Sequence, residues 1–164
     1  MSVARCKPGF MTIEASSTVD RPSSEVWKLL VDPSAWPRWN PVYLELSQTS
    51  AGPIQVGARF HSKHPQNRTL DETIVSFEPN RKFAFEFTSG PIRGSREIYI
   101  LEELPASGGK TSTRLTRQFE LRFGGIFKML GPLLITPSFK REKRVEVDTV
   151  KRLLEQSASP SSLA

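Results

Sequence analysis

The chain has 164 residues, of which 37% are hydrophobic and 24% charged, with a formal net charge of +6. That length supports one domain with a real core, and the composition is neither that of a disordered segment nor that of a membrane-embedded one. A single cysteine, Cys6, excludes an internal disulfide framework and a cysteine-based zinc site, and the longest apolar stretch, 126–135, is interrupted by Lys128, Gly131 and Pro132, well short of the roughly 20 residues a membrane-spanning helix needs.

Residues 1–10 read as a flexible lead. They hold Arg5 and Lys7 but no apolar run, so no secretory signal is expected and the cytoplasm is the expected compartment. Residues 11–19 alternate, with Ile13, Ala15, Ser17 and Val19 on one face of a strand. Arg21-Pro22-Ser23-Ser24-Glu25 then opens a helix, with Pro22 suited to its first turn and Ser23 or Ser24 to capping it. Val26, Leu29 and Leu30 form its apolar stripe, with Trp27 beside them. Asp32-Pro33 ends it, because a residue before proline is pushed out of the helical region, and 33–39 holds one more short turn.

Six strand-like segments follow: 42–48, 58–64, 69–77, 82–88, 96–103 and 112–123. Turn-rich pieces such as Ala51-Gly52-Pro53, Glu78-Pro79-Asn80 and Ser89-Gly90-Pro91 separate them. With no helix between strands, the pattern is an antiparallel meander, and the fold class is α+β. The period then changes. Phe139, Lys143, Val147, Val150 and Leu154 recur every three or four residues, which predicts an amphipathic helix over 138–156. Residues 126–134 read as a helical lead-in that Gly131-Pro132 and Pro137 bend or break. Residues 157–164 read as a disordered tail.

The last helix interleaves Lys140, Arg141, Lys143, Arg144, Lys151 and Arg152 with Glu142, Glu146, Asp148 and Glu155. Mixed signs at helical spacing describe a solvated face, so no nucleic-acid partner is expected.

Several segments stand out together: Ser17-Thr18-Val19-Asp20-Arg21-Pro22 with Glu25-Val26-Trp27, then Asp32-Pro33-Ser34-Ala35-Trp36-Pro37-Arg38-Trp39-Asn40-Pro41, Gly57, Phe77-Glu78-Pro79 and the closing Val147, Val150 and Leu153-Leu154-Glu155. In these segments the chain resembles the START-like superfamily, also called the helix-grip, Bet v 1-like or SRPBCC fold, and within it the polyketide cyclase/dehydrase-type branch. The resemblance spans about 11–156. It implies a curved antiparallel sheet of about seven strands wrapped around a long C-terminal helix, with two short helices after the first strand. A sheet of that shape leaves a cavity between itself and the helix. Members of the superfamily bind sterols, lipids, polyketides, plant hormones and quinones there. Some are enzymes, some carriers and some sensors, so the fold alone does not choose among them.

Strand parity names the residues expected to face that cavity. They are Phe60, Ser62 and His64; Phe83, Phe85 and Phe87; Glu97, Tyr99 and Leu101; and Thr113, Leu115, Arg117, Phe119, Leu121 and Phe123. The expected ligand contacts are the Phe, Ser62, His64, Glu97, Tyr99 and Arg117 positions up to Phe119, together with Phe139, Lys143 and Val147 of the helix. Glu97 and Arg117, on consecutive strands, are either an ion pair that orders the sheet at the cavity mouth or a polar anchor or acid/base pair. His64 is either a general base or a surface histidine beside a loop. His61 and His64 point to opposite faces of one strand, so no metal site is expected. Trp27, Trp36 and Trp39 read as structural, with Trp36 also at the cavity rim. With no G-x-S-x-G, P-loop or dinucleotide glycine pattern, no cofactor is expected.

The leading functional expectation is binding of a small hydrophobic or aromatic molecule, lipid, polyketide, sterol or quinone-like, in the internal cavity. A polyketide cyclase, aromatase or dehydratase using Glu97, Arg117 and His64 in the same cavity, without metal or nucleotide, is the alternative. A lipid or quinone chaperone making transient membrane contact through the basic surface and 126–135 is the second alternative. The chain is expected to act as a monomer or homodimer.

Overall fold

The computed structural model describes residues 6–7, 10–107, 110–122 and 127–156, with side chains over 10–105, 111–122 and 140–156. The strands are β1 (Cys6–Lys7), β2 (Phe10–Val19), β3 (Glu45–Gln48), β4 (Arg59–His64), β5 (Arg68–Glu78), β6 (Lys82–Phe87), β7 (Arg96–Ser107) and β8 (Lys110–Arg122). They form one antiparallel sheet in the order β1-β2-β8-β7-β6-β5-β4-β3. The meander therefore runs through consecutive neighbours, and β2 joins its far end by pairing with β8. The stretch read as a lead contributes β1, which pairs with Phe10 and Met11. The predicted strand 42–48 is ordered as a strand only from Glu45, and Val42 and Tyr43 belong to the preceding turn.

Helix α1 (Ser23–Leu30), a 3₁₀ turn (Pro33–Ala35) and α2 (Trp36–Trp39) connect β2 to β3. The cap of α1 differs from the expected one. Pro22 occupies the cap position with no side-chain cap, and Glu103 on β7 instead accepts from the Ser23 backbone N–H at 3.3 Å and from its hydroxyl at 3.5 Å. A carboxylate at that end also suits the helix dipole. Asp32 caps the next turn through the Ser34 N–H at 3.0 Å.

The C-terminal helix α3 (Phe127–Gln156) is one continuous helix of 30 residues. Gly131-Pro132 and Pro137 do not break it, although each proline removes one backbone donor. Lys151 and Arg144 fasten α3 to β2 by donating to the backbone oxygens of Thr18 (2.7 Å) and Ser16 (3.1 Å), and Ser17 donates to Asp148 at 3.0 Å. Phe123, residue 126 and the tail 157–164 lie outside the described residues, and so do the side chains of 127–139, including Phe139. No helix among the described residues is long and apolar enough to cross a membrane.

One bulge matters for parity. In β5 the register shifts between Ile74 and Ser76, which leaves Val75 without a β6 partner and moves the next inward position from Ser76 to Phe77. Leu70, Glu72 and Ile74 face inward before it, and Phe77 packs against the core after it.

Trp36 centres an aromatic cluster. It lies 5.0 Å from Trp39, 4.9 Å from Tyr43, 5.4 Å from Phe85 and 5.9 Å from Tyr99, measured between rings, while Phe83 stacks on Tyr99 at 4.6 Å. Its indole N–H donates to the Leu30 carbonyl at 2.8 Å. Trp27 meets Phe77 and Phe83 edge-on. These rings close one end of the space between sheet and helix.

The loop from β6 to β7 turns at Gly90, whose φ is +72°. A Cβ there would collide with the side chain of Leu70. Gly90→Ala is therefore expected to destabilise the fold by about 1–3 kcal/mol, the range for a non-glycine residue held in the left-handed region. Urea unfolding of the two chains side by side measures it. An unchanged midpoint would mean that the loop relaxes at no cost.

Candidate functional site

Beyond the aromatic cluster, toward the middle of α3, the sheet and helix leave a cavity of about 270 Å³. Its apolar wall comes from Val42, Leu70, Phe87, Pro91, Ile92 and Phe119. Its polar wall comes from Tyr43, His64, Arg68, Thr69, Glu97, Glu142 and Lys143. Of the residues expected to face a ligand, the structure thus brings His64, Phe87, Glu97, Phe119 and Lys143 to one cavity.

The other expected residues whose side chains are described are buried but sit behind that lining. Phe83, Phe85 and Tyr99 fill the aromatic cluster, so the space their parity assigned to a ligand is occupied by Trp36, Trp39 and Tyr43. Phe60 and Trp36 border a separate void of about 20 Å³, which moves Trp36 from the cavity rim into the core. Ser62, Arg117 and Val147 are fully buried, with no place on the cavity wall.

Two buried polar groups support the site. The first holds Arg117, which is 0% exposed. It lies between Glu97 on β7 and Glu146 on α3, with its guanidinium 5.3 Å above the Tyr99 ring. Tyr99 donates to Glu97 at 2.9 Å. Lys143 reaches Glu97 (3.3 Å), Glu142 (3.1 Å) and Glu146 (3.4 Å), and its ammonium sits 5.1 Å over the Phe119 ring.

The Glu97–Arg117 pair is thus part of a buried network that borders the cavity through Glu97 and Lys143. Burial alone would raise the Glu97 carboxyl, but Arg117 and Lys143 hold it down to about 2. Burial and the nearby Arg117 lower Lys143, against the pull of its carboxylates. The helix face read as solvated is only partly so. Arg144–Asp148 and Lys151–Glu155 are outward pairs, whereas Lys143 and Glu146 are buried at 2% and 0% exposure.

The second group surrounds Glu72, which is 2% exposed and which strand parity had not singled out. Tyr43 donates to its carboxyl at 3.0 Å, and Ser62 Oγ lies 2.8 Å from the same oxygen. Ser62 Oγ also meets His64 Nε2 at 2.9 Å. Burial raises Glu72 to about 8, so it carries a proton at neutral pH. Burial lowers His64, which is therefore a neutral, enclosed histidine rather than a surface one. His61, on the opposite face, pairs with Asp71 at 2.8 Å.

Glu72 was legible by the argument that found Arg117: it is the one ionisable residue in the inward run Leu70, Glu72, Ile74. Glu146 had a weaker signal, lying one turn from Lys143 and from Val150 on the inward stripe. Tyr43, in a turn, had none.

Residues 11–155 match the family model described as polyketide cyclase/dehydrase and lipid transport. The chain belongs to this family. Among relatives, the uncharacterized protein Rv2574 of Mycobacterium tuberculosis is 33% identical over 84 residues, 49% of this chain and 50% of that protein. The protein Mb2604 of Mycobacterium bovis matches to the same extent. The matched segment thus spans about half the length of these relatives.

Two solved structures share the fold. XoxI of Bacillus cereus superposes with a TM-score of 0.68 at 12% identity, covering 91% of this chain and 99% of that one. MLL2253 of Mesorhizobium loti does so at 0.64 and 16%, covering 89% and 98%.

Proposed function

We propose that the chain binds a small hydrophobic or aromatic molecule in the cavity between sheet and α3, as a carrier or sensor. The observation that carries this reading is the cavity of about 270 Å³, whose surface is mostly apolar with a few polar groups. Lipid, polyketide, sterol and quinone-like compounds are the classes suggested by the superfamily's range.

Binding without chemistry is favoured over cyclase-type catalysis by the state of the three candidate groups. Glu97 faces the cavity but is held near 2, which makes it a weak base at neutral pH. Arg117 lies behind the wall between two carboxylates. His64 turns Nε2 to Ser62.

Native mass spectrometry of the chain purified from its host, followed by extraction, tests the reading. The expected result is an apolar molecule that co-purifies and is lost in Leu70→Trp, which fills the cavity. A chain that carries nothing and binds no apolar probe would refute it.

A further inference from the structure

The charge of the wall limits what the cavity can accept, provided the binding reading above holds. Among the described residues, Lys143 is the one cation buried on the wall, and three carboxylates already meet it, those of Glu97, Glu142 and Glu146. Arg117, behind the wall, is enclosed by Glu97 and Glu146. In formal charge the cluster sets two cations against three carboxylates. A neutral Lys143 would leave it more negative still.

His64 adds no charge at neutral pH, because burial lowers it, and Glu72 is protonated. Arg68 is the other cation on the wall among the described residues, but it is exposed, where water and salt screen it, and its Nε donates to the Pro65 carbonyl at 3.4 Å. An anionic head entering the cavity would lose its hydration and meet Glu97 and Glu142 with no uncommitted buried cation among the described residues to receive it. A cationic head would have to displace Lys143 from its carboxylates. An uncharged hydroxyl or carbonyl meets neither obstacle. A hydroxyl donates to Glu97, whose carboxylate lies on the wall.

Size narrows the class further. A dry apolar cavity of roughly 150 Å³ holds one benzene ring. The space here, about 270 Å³, therefore takes about two fused rings.

We propose that the cavity selects uncharged molecules of about two-ring size that carry a hydroxyl, and rejects anions of the same shape.

Isothermal titration of the full chain at neutral pH with naphthol, naphthoate and naphthylmethylammonium tests this. Naphthol should bind roughly tenfold or more tighter than either charged probe, since a charged head loses its hydration and meets like charge or an occupied partner on the wall. Glu142→Gln, a change at a one-third-exposed side chain, removes one carboxylate and should raise the naphthoate-to-naphthol affinity ratio severalfold. Naphthoate or the ammonium binding as tightly as naphthol overturns the selection but leaves the cavity as a binding site. A ratio unmoved by Glu142→Gln overturns its electrostatic origin. If no probe binds, both this inference and the binding reading beneath it fall.

Discussion

Arg117→Ala is expected to lower the unfolding free energy by about 5 kcal/mol, the upper end of the range for breaking a buried ion pair from one side. The reason is what the change leaves behind. Glu97 and Glu146 are both enclosed, and both lie against the guanidinium. Without it, two buried carboxylates share Lys143, whose contacts to them are 3.3 and 3.4 Å. Urea unfolding followed by tryptophan fluorescence measures the loss.

Removing a carboxylate along with the arginine should recover part of the stability, so Arg117→Ala with Glu97→Gln is expected to be more stable than Arg117→Ala alone. The network also sets a pH dependence. The folded protein holds Glu97 near 2, below the ordinary value of 4.5, so its contribution is complete above about pH 4.5 and is lost as pH falls toward 2. If Arg117→Ala left stability within about 1 kcal/mol of the parent, below the range for a buried pair, but abolished ligand binding, Arg117 would be a ligand anchor and the network would not be structural.

The fold was legible because its signals are local and repeated. Alternation in 11–19 and in the six later segments gave the strands, and the change to a three-to-four spacing at Phe139 gave the last helix. The inward positions of β4, β6, β7 and β8 follow from parity because those strands carry no bulge over the residues concerned.

What parity could not give is which inward positions border a void and which are filled. Phe83, Phe85 and Tyr99 point the same way as Phe87 and Phe119. The difference lies in Trp36 and Trp39, held over them by a short helix whose placement depends on tertiary packing. Glu146 was hidden for a related reason. In sequence it belongs to a run of alternating charges, and only the rotation of α3 on the sheet separates it from Asp148, which reaches Arg144 in solvent.

Glu72 gives the second large effect, one that a pH titration of stability isolates. In the unfolded chain it is an ordinary carboxyl with a value of 4.5, and in the folded protein burial raises it to about 8. Between those values the folded state keeps a proton that the unfolded state releases. Stability from this group is therefore complete below about pH 4.5, declines as pH rises, and levels off above about 8. At about 1.4 kcal/mol per pH unit, the whole decline amounts to roughly 3–5 kcal/mol. Glu72→Gln removes the titration while its amide retains partners in Tyr43 and Ser62, which lie 3.0 and 2.8 Å from the carboxyl oxygen. The two proteins should thus have similar unfolding free energies near pH 5, and the variant should be more stable by several kcal/mol near pH 9. Because every other titrating group is common to both, the difference between the two curves reports Glu72 alone. Parallel curves over that range would mean that Glu72 ionises in the folded state as it does in the unfolded one, and that water or a cation reaches the space beneath Tyr43.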